Sequence, residues 1–281
     1  ARRGGERSRP PEEIEREVSK LIGQGVKEVA LLGQIVDRYG MDMGWEVHLG
    51  GLLRRIADLP GLERLRFLTS HPSWMTDAII DAVAEHPKIC PQLEVPIQAG
   101  DDEVLARMRR GYTVEEYVRI CEKIRARIPD AAIHTDVIVG FPGETAAQFD
   151  GTYRVLEELR LDKAHIAKYS ERPRTIAAAK YADDVPADEK ERRRKALDQL
   201  QTGILAEKMA ALEGHTVDVL VDGLDAKTGR WRGRTPQSKL VFFEDPRDLL
   251  GERVDVLVER TGPFSLIGRA ADARHASSVG P

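Results

Sequence analysis

Apolar runs of strand length alternate with segments of helical period through the first two thirds of the chain. Residues 26–32 form such a run, which ends at Gly33-Gln34, and a helix is predicted from about 45 to 59. Residues 64–68 end at Thr69-Ser70-His71-Pro72, before a helix over 76–85. Residues 93–97 end at Gln98-Ala99-Gly100, before helices over 102–108 and 114–127. Residues 133–139 end at Gly140-Phe141-Pro142-Gly143 before a helix over 146–159, and 164–168 end at Tyr169-Ser170-Glu171-Arg172-Pro173. Strands alternating with helices predict an α/β unit with a parallel sheet, open or curled toward a barrel. Ligands of such sheets bind at the carboxyl ends of the strands, where each of these polar breaks falls.

The pattern changes near Asp183-Asp184-Val185-Pro186, a stop followed by a helix start. A long charged helix is predicted from there to about Leu212, with Leu197, Leu200 and Ile204 as its buried stripe. Its run Lys190-Glu191-Arg192-Arg193-Arg194-Lys195 reads either as a solvated face or as a contact with a polyanion. After Gly214, short alternating strands over 216–221, 229–235, 239–243, 253–259 and 265–271 predict a small antiparallel β-barrel. The predicted division is therefore 1–182 for the α/β unit, 183–211 for a connecting helix, 212–271 for the barrel and 272–281 for a flexible tail. Within the barrel Lys227, Arg230, Arg232, Arg234 and Lys239 occur with no acidic residue between the first and last, and Trp231 lies among them. On a strand, Arg230, Arg232 and Arg234 share one face. Arg230, Trp231, Arg232, Arg234 and Lys239 are thus candidates to track a phosphate backbone and stack bases, the alternative being arginines that protect a sheet edge.

Composition narrows this picture. The 281 residues are 41% hydrophobic and 32% charged, which is a soluble globular composition long enough for two domains. No run reaches membrane-spanning length and no secretory leader is present, so the expectation is a cytoplasmic protein with no membrane partner. A net charge of -4 excludes a uniformly basic nucleic-acid binder, leaving local patches to make any RNA contact. Cys90 and Cys121 read as small buried hydrophobes. Without CxxC, HxxxH or a clustered carboxylate loop, no residue is assigned as a metal ligand or catalytic group.

The stretch from Asp136 to Thr145 runs a buried strand into a Gly-Pro-Gly turn with carboxylates at both ends. It reads as an edge that receives a small polar ligand, or else as an ordinary strand-to-helix turn. Together with Ser8-Arg9-Pro10, Leu31-Leu32-Gly33-Gln34, Arg66-Phe67-Leu68-Thr69-Ser70-His71-Pro72, Pro96-Ile97-Gln98-Ala99-Gly100 and Met108-Arg109-Arg110-Gly111-Tyr112-Thr113, it closely resembles the MiaB-type tRNA methylthiotransferases over nearly the whole chain. The resemblance implies a partial (β/α)6 radical S-adenosylmethionine barrel followed by a small, OB-like β-barrel called TRAM. It implies conversion of N6-isopentenyladenosine beside the anticodon into its 2-methylthio derivative. The implied cofactors are S-adenosylmethionine and [4Fe-4S] clusters; the implied partners are the tRNA anticodon stem-loop and a reductant such as flavodoxin or ferredoxin. Gln98 and Asp136 would hold the ribose hydroxyls and Arg110 the methionine carboxylate, a pairing that suits their chemistry. Gln34 and Ser70 are further cofactor contacts, and His71 has a turn role or a contact with substrate or cofactor.

Two departures qualify the resemblance. The family's CxxxCxxC, which holds the radical-generating cluster, is expected just upstream of Ala1, so the chain reads as a fragment or incomplete gene product that is inert by itself. Glu171 and Arg174 stand where the family usually has Pro and Gly. The alternatives are a methylthiotransferase acting on a ribosomal-protein aspartate or on threonylcarbamoyl-adenosine, and a non-catalytic RNA-binding fragment.

Overall fold

Pro10 and Pro11 start a helix that the hydrophobic pattern did not predict. In the computed structural model, which describes residues 5–271, α1 (Pro11–Gly23) has Pro at its first position, Glu12 and Glu13 in its first turn and Lys20 in its last. Each suits the orphan backbone groups and dipole at that end. Two compact units follow the chain, Ala1–Gln201 and Thr202–Pro281.

In the first unit, β1 (Glu28–Leu31) pairs in parallel with β2 (Arg64–Phe67). Between them α2 (Leu49–Ala57) is shorter than predicted, because Gly40 and Gly44 take left-handed backbone around a 3-10 turn and delay the helix. After α3 (Asp77–Glu85), the segment leading into β3 (Gln92–Glu94) runs beside β2, with Cys90 N–H donating to the Leu65 carbonyl at 2.9 Å. α4 (Asp102–Arg107) and α5 (Val114–Arg127) precede β4 (Ala132–Val139); α6 (Ala146–Leu159) precedes β5 (Lys163–Lys168). The sheet order β3-β4-β5 is parallel throughout, as the alternation required. β3 stops earlier than predicted, yet 95–98 keep following β4: Val95 N–H donates to the His134 carbonyl and Gln98 N–H to that of Asp136, each at 2.8 Å.

Leu65, Phe67, Leu93, Ile97, Tyr117, Ile133 and Val137 form the core between strands and helices. Cys90 and Cys121 are buried, as predicted, and burial pushes the Cys121 thiol up to about 11. α7 (Ile176–Lys180) is a short helix that the pattern did not reveal; α8 (Ala187–Ala210) is the long charged one.

The second unit is a closed barrel of β6 (Thr216–Leu224), β7 (Trp231–Arg234), β8 (Leu240–Glu244), β9 (Arg253–Thr261) and β10 (Ser265–Ala270), in the order β10-β8-β7-β6-β9. Its predicted antiparallel character needs one correction: β8 and β10 pair in parallel. A ring with an odd number of strands cannot alternate direction all the way round, so closing five strands forces one parallel pair. Val219, Trp231, Val241, Phe243, Val256 and Leu266 fill the interior. Gly268 is required there, since a Cβ would collide with the Leu257 carbonyl. The predicted tail over 272–281 lies outside the described residues. No helix among those residues is long and apolar enough to cross a membrane.

Candidate functional site

At the carboxyl edge of the parallel strands, two residues other than glycine take left-handed backbone: Thr69 after β2 and Gln98 after β3, each at φ +70°. That conformation costs such residues about 1–2 kcal/mol and clusters where function demands a sharp turn. Thr69 is held by its hydroxyl, which donates to the Gly33 carbonyl at 2.6 Å, while Val36 N–H donates to the Thr69 carbonyl at 3.2 Å. The loops after β1 and β2 are thereby tied together.

Ser70 and Asp37 lie buried at this tie. Asp37 Oδ2 accepts from His71 N–H at 2.9 Å, whereas Asp37 Oδ1 and Ser70 Oγ have no hydrogen-bond partner. Burial pushes the Asp37 carboxyl up to about 6. His71 accepts from Ser73 N–H at 3.3 Å, which fits its predicted turn role, and its ring meets Tyr112 edge-on at 5.3 Å. Burial, and then the Arg110 charge, hold the His71 pKa below its ordinary value. Tyr112 in turn donates to the Pro96 and Ile97 carbonyls at 2.8 and 3.0 Å, steadying the backbone that presents Gln98.

Arg110 reaches this edge because α4 ends with Arg109 at φ +59° and Arg110 N–H donates back to the Leu105 carbonyl at 3.0 Å. Its Nη2 donates to Gln98 Oε1 at 2.9 Å, and its buried Nε has no partner. Gly100 lets α6 close on the same edge: its N–H donates to Thr152 Oγ1 at 2.8 Å, and a Cβ there would strike the Thr152 backbone. Asp136, exposed midway along β4, shares with Ser70, Glu94, His134 and His165 a small cavity of about 70 Å³.

Of the predicted cofactor residues, Ser70 and Asp136 therefore line one cavity, while Gln98 bonds to Arg110 and meets β4 through its N–H on the Asp136 carbonyl, neither Gln98 nor Arg110 lining that cavity. Gln34 does not join that cavity: it is exposed and lines a separate cleft of about 620 Å³ between α1, β1 and the segment that follows β1. The carboxylate at the far end of the Gly-Pro-Gly turn is enclosed by the protein. Glu144 is 4% exposed and turns inward, accepting from Gly140 N–H at 2.5 Å and from Arg193 Nη1 at 2.8 Å. Burial raises its pKa against the lowering effect of those two donors. Gly140 and Gly143 still need their left-handed φ of +71° and +76°, but the turn they make is clamped from α8. Lys190 and Arg193 of the basic run are buried, Lys190 Nζ lying 2.6 Å from Asp183 Oδ2. Those two cations support the turn and are not available to a polyanion.

A guanidinium with an unpaired N–H, a neighbouring amide, an exposed carboxylate and an unpaired hydroxyl fit the carboxylate and ribose hydroxyls of S-adenosylmethionine. A [4Fe-4S] cluster does not fit the described residues. No group of three His, Cys, Asp or Glu among them could hold a metal ion, and the two cysteines lie buried.

In the second unit the alternation places Arg232 and Arg234 outward and Trp231 inward. Trp231 is corrected from a stacking platform to a core residue: it is 9% exposed and its Nε1 donates to the Asp245 and Arg247 carbonyls, each at 3.1 Å. Neighbouring strands supply the acidic partners absent from the sequence run, Glu244 to Arg230 at 3.0 Å and Asp222 to Arg232 at 2.6 Å. Arg234 donates to the Ser238 carbonyl at 3.2 Å, and Lys239 N–H to Thr235 Oγ1 at 3.1 Å.

Residues 1–156 match the Radical SAM superfamily, and residues 210–271 match the TRAM domain. The chain is 53% identical to the tRNA-2-methylthio-N(6)-dimethylallyladenosine synthase of Roseiflexus sp. (strain RS-1), over 95% of this chain and 56% of that protein. It is 50% identical to the synthase of the same name from Chloroflexus aurantiacus, over 95% of this chain and 58% of that one. The chain thus spans little more than half the length of these relatives. Among solved structures, coproporphyrinogen III oxidase (HemN) from Escherichia coli superposes with a TM-score of 0.49 and 18% identity, over 71% of this chain and 46% of that one. With the superfamily match covering more than half of its length, this chain belongs to the Radical SAM superfamily and carries a TRAM domain.

Proposed function

We propose that the chain is the cofactor-binding and RNA-binding part of a tRNA methylthiotransferase that converts N6-isopentenyladenosine next to the anticodon into its 2-methylthio derivative. The observation that supports this reading is the bond of Arg110 to the Gln98 side chain, with Gln98 N–H on the carbonyl of Asp136 in the neighbouring strand. Arg110 grips the methionine carboxylate of S-adenosylmethionine, while Gln98 and Asp136 orient the ribose. Bound there, the cofactor supplies radical and methyl-transfer chemistry. Residues 1–182 form the cofactor unit, 183–211 the connecting helix and 212–271 the RNA-binding barrel. The anticodon stem-loop of tRNA is the partner of the barrel, a flavodoxin or ferredoxin is the reductant, and the reaction takes place in the cytoplasm. Residues 1–281 alone are inert, since Cys90 and Cys121 are their only cysteines and both are buried.

Anaerobic reconstitution tests this reading on two chains, residues 1–281 and the same chain extended upstream through the CxxxCxxC region. The expected result is 5′-deoxyadenosine and 2-methylthio nucleoside only from the extended chain, by mass spectrometry. In that chain R110M weakens cofactor binding by roughly 30-fold or more, the loss expected when a charged partner of a carboxylate is removed. Cleavage by neither chain would favour the non-catalytic RNA binder.

A further inference from the structure

We propose that the outer surface of β7, β8 and β10, not Trp231, receives RNA in this chain, with the rings of Phe264 and Phe242 stacking on unpaired bases. This deepens the reading of the second unit as an RNA-binding barrel and rests on it. Strand register supplies the surface. Arg232 pairs with Phe242 across β7 and β8, Phe242 with Ile267 across β8 and β10, and Ile267 with Arg260 across β10 and β9. Val241 and Phe243 point into the core, so Leu240 and Phe242 face outward, half-exposed. Leu266 and Gly268 are buried, so Ile267 between them also faces outward. A row of arginine, phenylalanine, isoleucine and arginine thus crosses four strands.

Phe264 stands just beyond this row in the hairpin between β9 and β10, closed by Gly262 N–H donating to the Ser265 carbonyl at 2.8 Å. It is 68% exposed. Ser265 is paired with Leu240, and Leu240 with Arg234, so the turn that carries Phe264 adjoins the Arg234 end of this surface.

Outward rings between cations are the arrangement that tracks a nucleic-acid backbone while accepting the face of any base. Charge decides for RNA over an apolar protein partner. Arg260 is exposed and has no ion pair among the described residues. The Arg232–Asp222 bond joins side chains that are 44% and 43% exposed, where an ion pair is worth little and a phosphate can replace the carboxylate.

The test is fluorescence anisotropy of a labelled anticodon stem-loop RNA with the 281-residue chain, at several salt concentrations. The variants are F264S and R260A, with R247A as control; Arg247 is exposed in the loop after β8, off this surface. F264S should weaken binding roughly tenfold, the loss typical of one stacked base. R260A should weaken it and reduce the slope of log affinity against log salt by about one, and R247A should change affinity by less than about twofold. Thermal unfolding confirms that each exposed-site variant is folded. If the wild type binds and F264S and R260A behave like R247A, the surface is wrong while the barrel remains an RNA binder. If the wild type does not bind even at low salt, the surface and the RNA reading both fall.

Discussion

The two units carry their candidate binding groups in opposite ways. In the α/β unit the left-handed turns at Thr69, Gln98 and Arg109 place Ser70, Gln98 and Arg110, Arg110 bonds to Gln98 and Asp37 accepts from His71 N–H, while Ser70 Oγ, Asp37 Oδ1 and Arg110 Nε have no protein partner. In the barrel Arg230 and Arg232 lie on the surface, bonded to carboxylates that water also reaches. The first arrangement fixes a few donors before a ligand arrives, which suits a small polar molecule whose every group must be met. The second offers many weak, replaceable contacts, which suits a flexible polyanion and makes binding salt-dependent.

The most drastic way to break this contrast is to treat the barrel's aromatic centre as a ligand contact. W231A should destabilise the barrel by about 3–5 kcal/mol, because a large buried ring leaves a cavity and strands the Asp245 and Arg247 carbonyls. W231F keeps most of the volume and should cost about 1 kcal/mol while leaving RNA affinity unchanged. Urea unfolding followed by circular dichroism measures the first effect and anisotropy the second; a tenfold affinity loss in a folded W231F would restore Trp231 to the binding surface.

A comparable loss is expected where the α/β unit hides its charges. R193M removes the partner of a buried carboxylate and should cost about 3 kcal/mol at neutral pH. Glu144, already raised in pKa by burial, should then take up a proton as the solution is acidified, so the penalty should shrink toward pH 5. Unfolding reported by Trp45 and Trp74, which both lie in this unit, measures it. A penalty independent of pH would place the damage in packing alone.

These two residues also show what the sequence could reveal. The period-2 reading that turned Arg230, Arg232 and Arg234 outward already required Trp231 to face inward; the fact was legible and its consequence was not drawn. The parallel β8–β10 pair was likewise implied by five strands in one ring. Local signals were readable because their partners are close in sequence: Thr113 and Glu116, like Thr145 and Gln148, form reciprocal caps at the starts of α5 and α6. The burial of Glu144 was not legible because its partner lies 49 residues away, on a helix whose period marked only its apolar stripe. Asp37 carried no signal, as its burial depends on the loop from β2 folding across it. The roles given to Gln98, Arg110 and Asp136 came from resemblance; spacing alone placed them only at strand and helix ends.

Asp37 sharpens the contrast from the side of stability. A carboxyl whose folded pKa is about 6, against an ordinary 3.8, favours the folded state while protonated and loses that contribution as pH rises from about 4 through 6. A shift of about 2 units corresponds to a loss of about 2–3 kcal/mol by pH 7, as an upper bound. D37N keeps an acceptor for His71 N–H and removes the ionisation. It should therefore be more stable than the parent by about 2 kcal/mol at pH 7.5 and nearly equal to it at pH 4. Urea unfolding at both pH values decides this: an equal change at both would mean that ionisation is not the cause.

The smallest effect tests whether left-handed backbone marks function. Arg174 is at φ +67°, a left-handed conformation that glycine adopts without strain. Thr175, the next residue, caps α7 by accepting from Ala178 N–H at 3.3 Å. R174G should relieve about 1–2 kcal/mol of strain and return part of it to the more flexible unfolded chain, for a net gain of about 0.5–1 kcal/mol. Thr69 shares the conformation but spends its side chain on the Gly33 carbonyl, so T69G should gain nothing and should loosen the tie between the β1 and β2 loops. Hydrogen exchange at Val36, whose N–H donates to the Thr69 carbonyl, reads that tie directly. Faster exchange in T69G but not in R174G would separate strain held in place by the site from strain that glycine simply relieves; no difference between them would remove backbone strain as a mark of the cofactor edge.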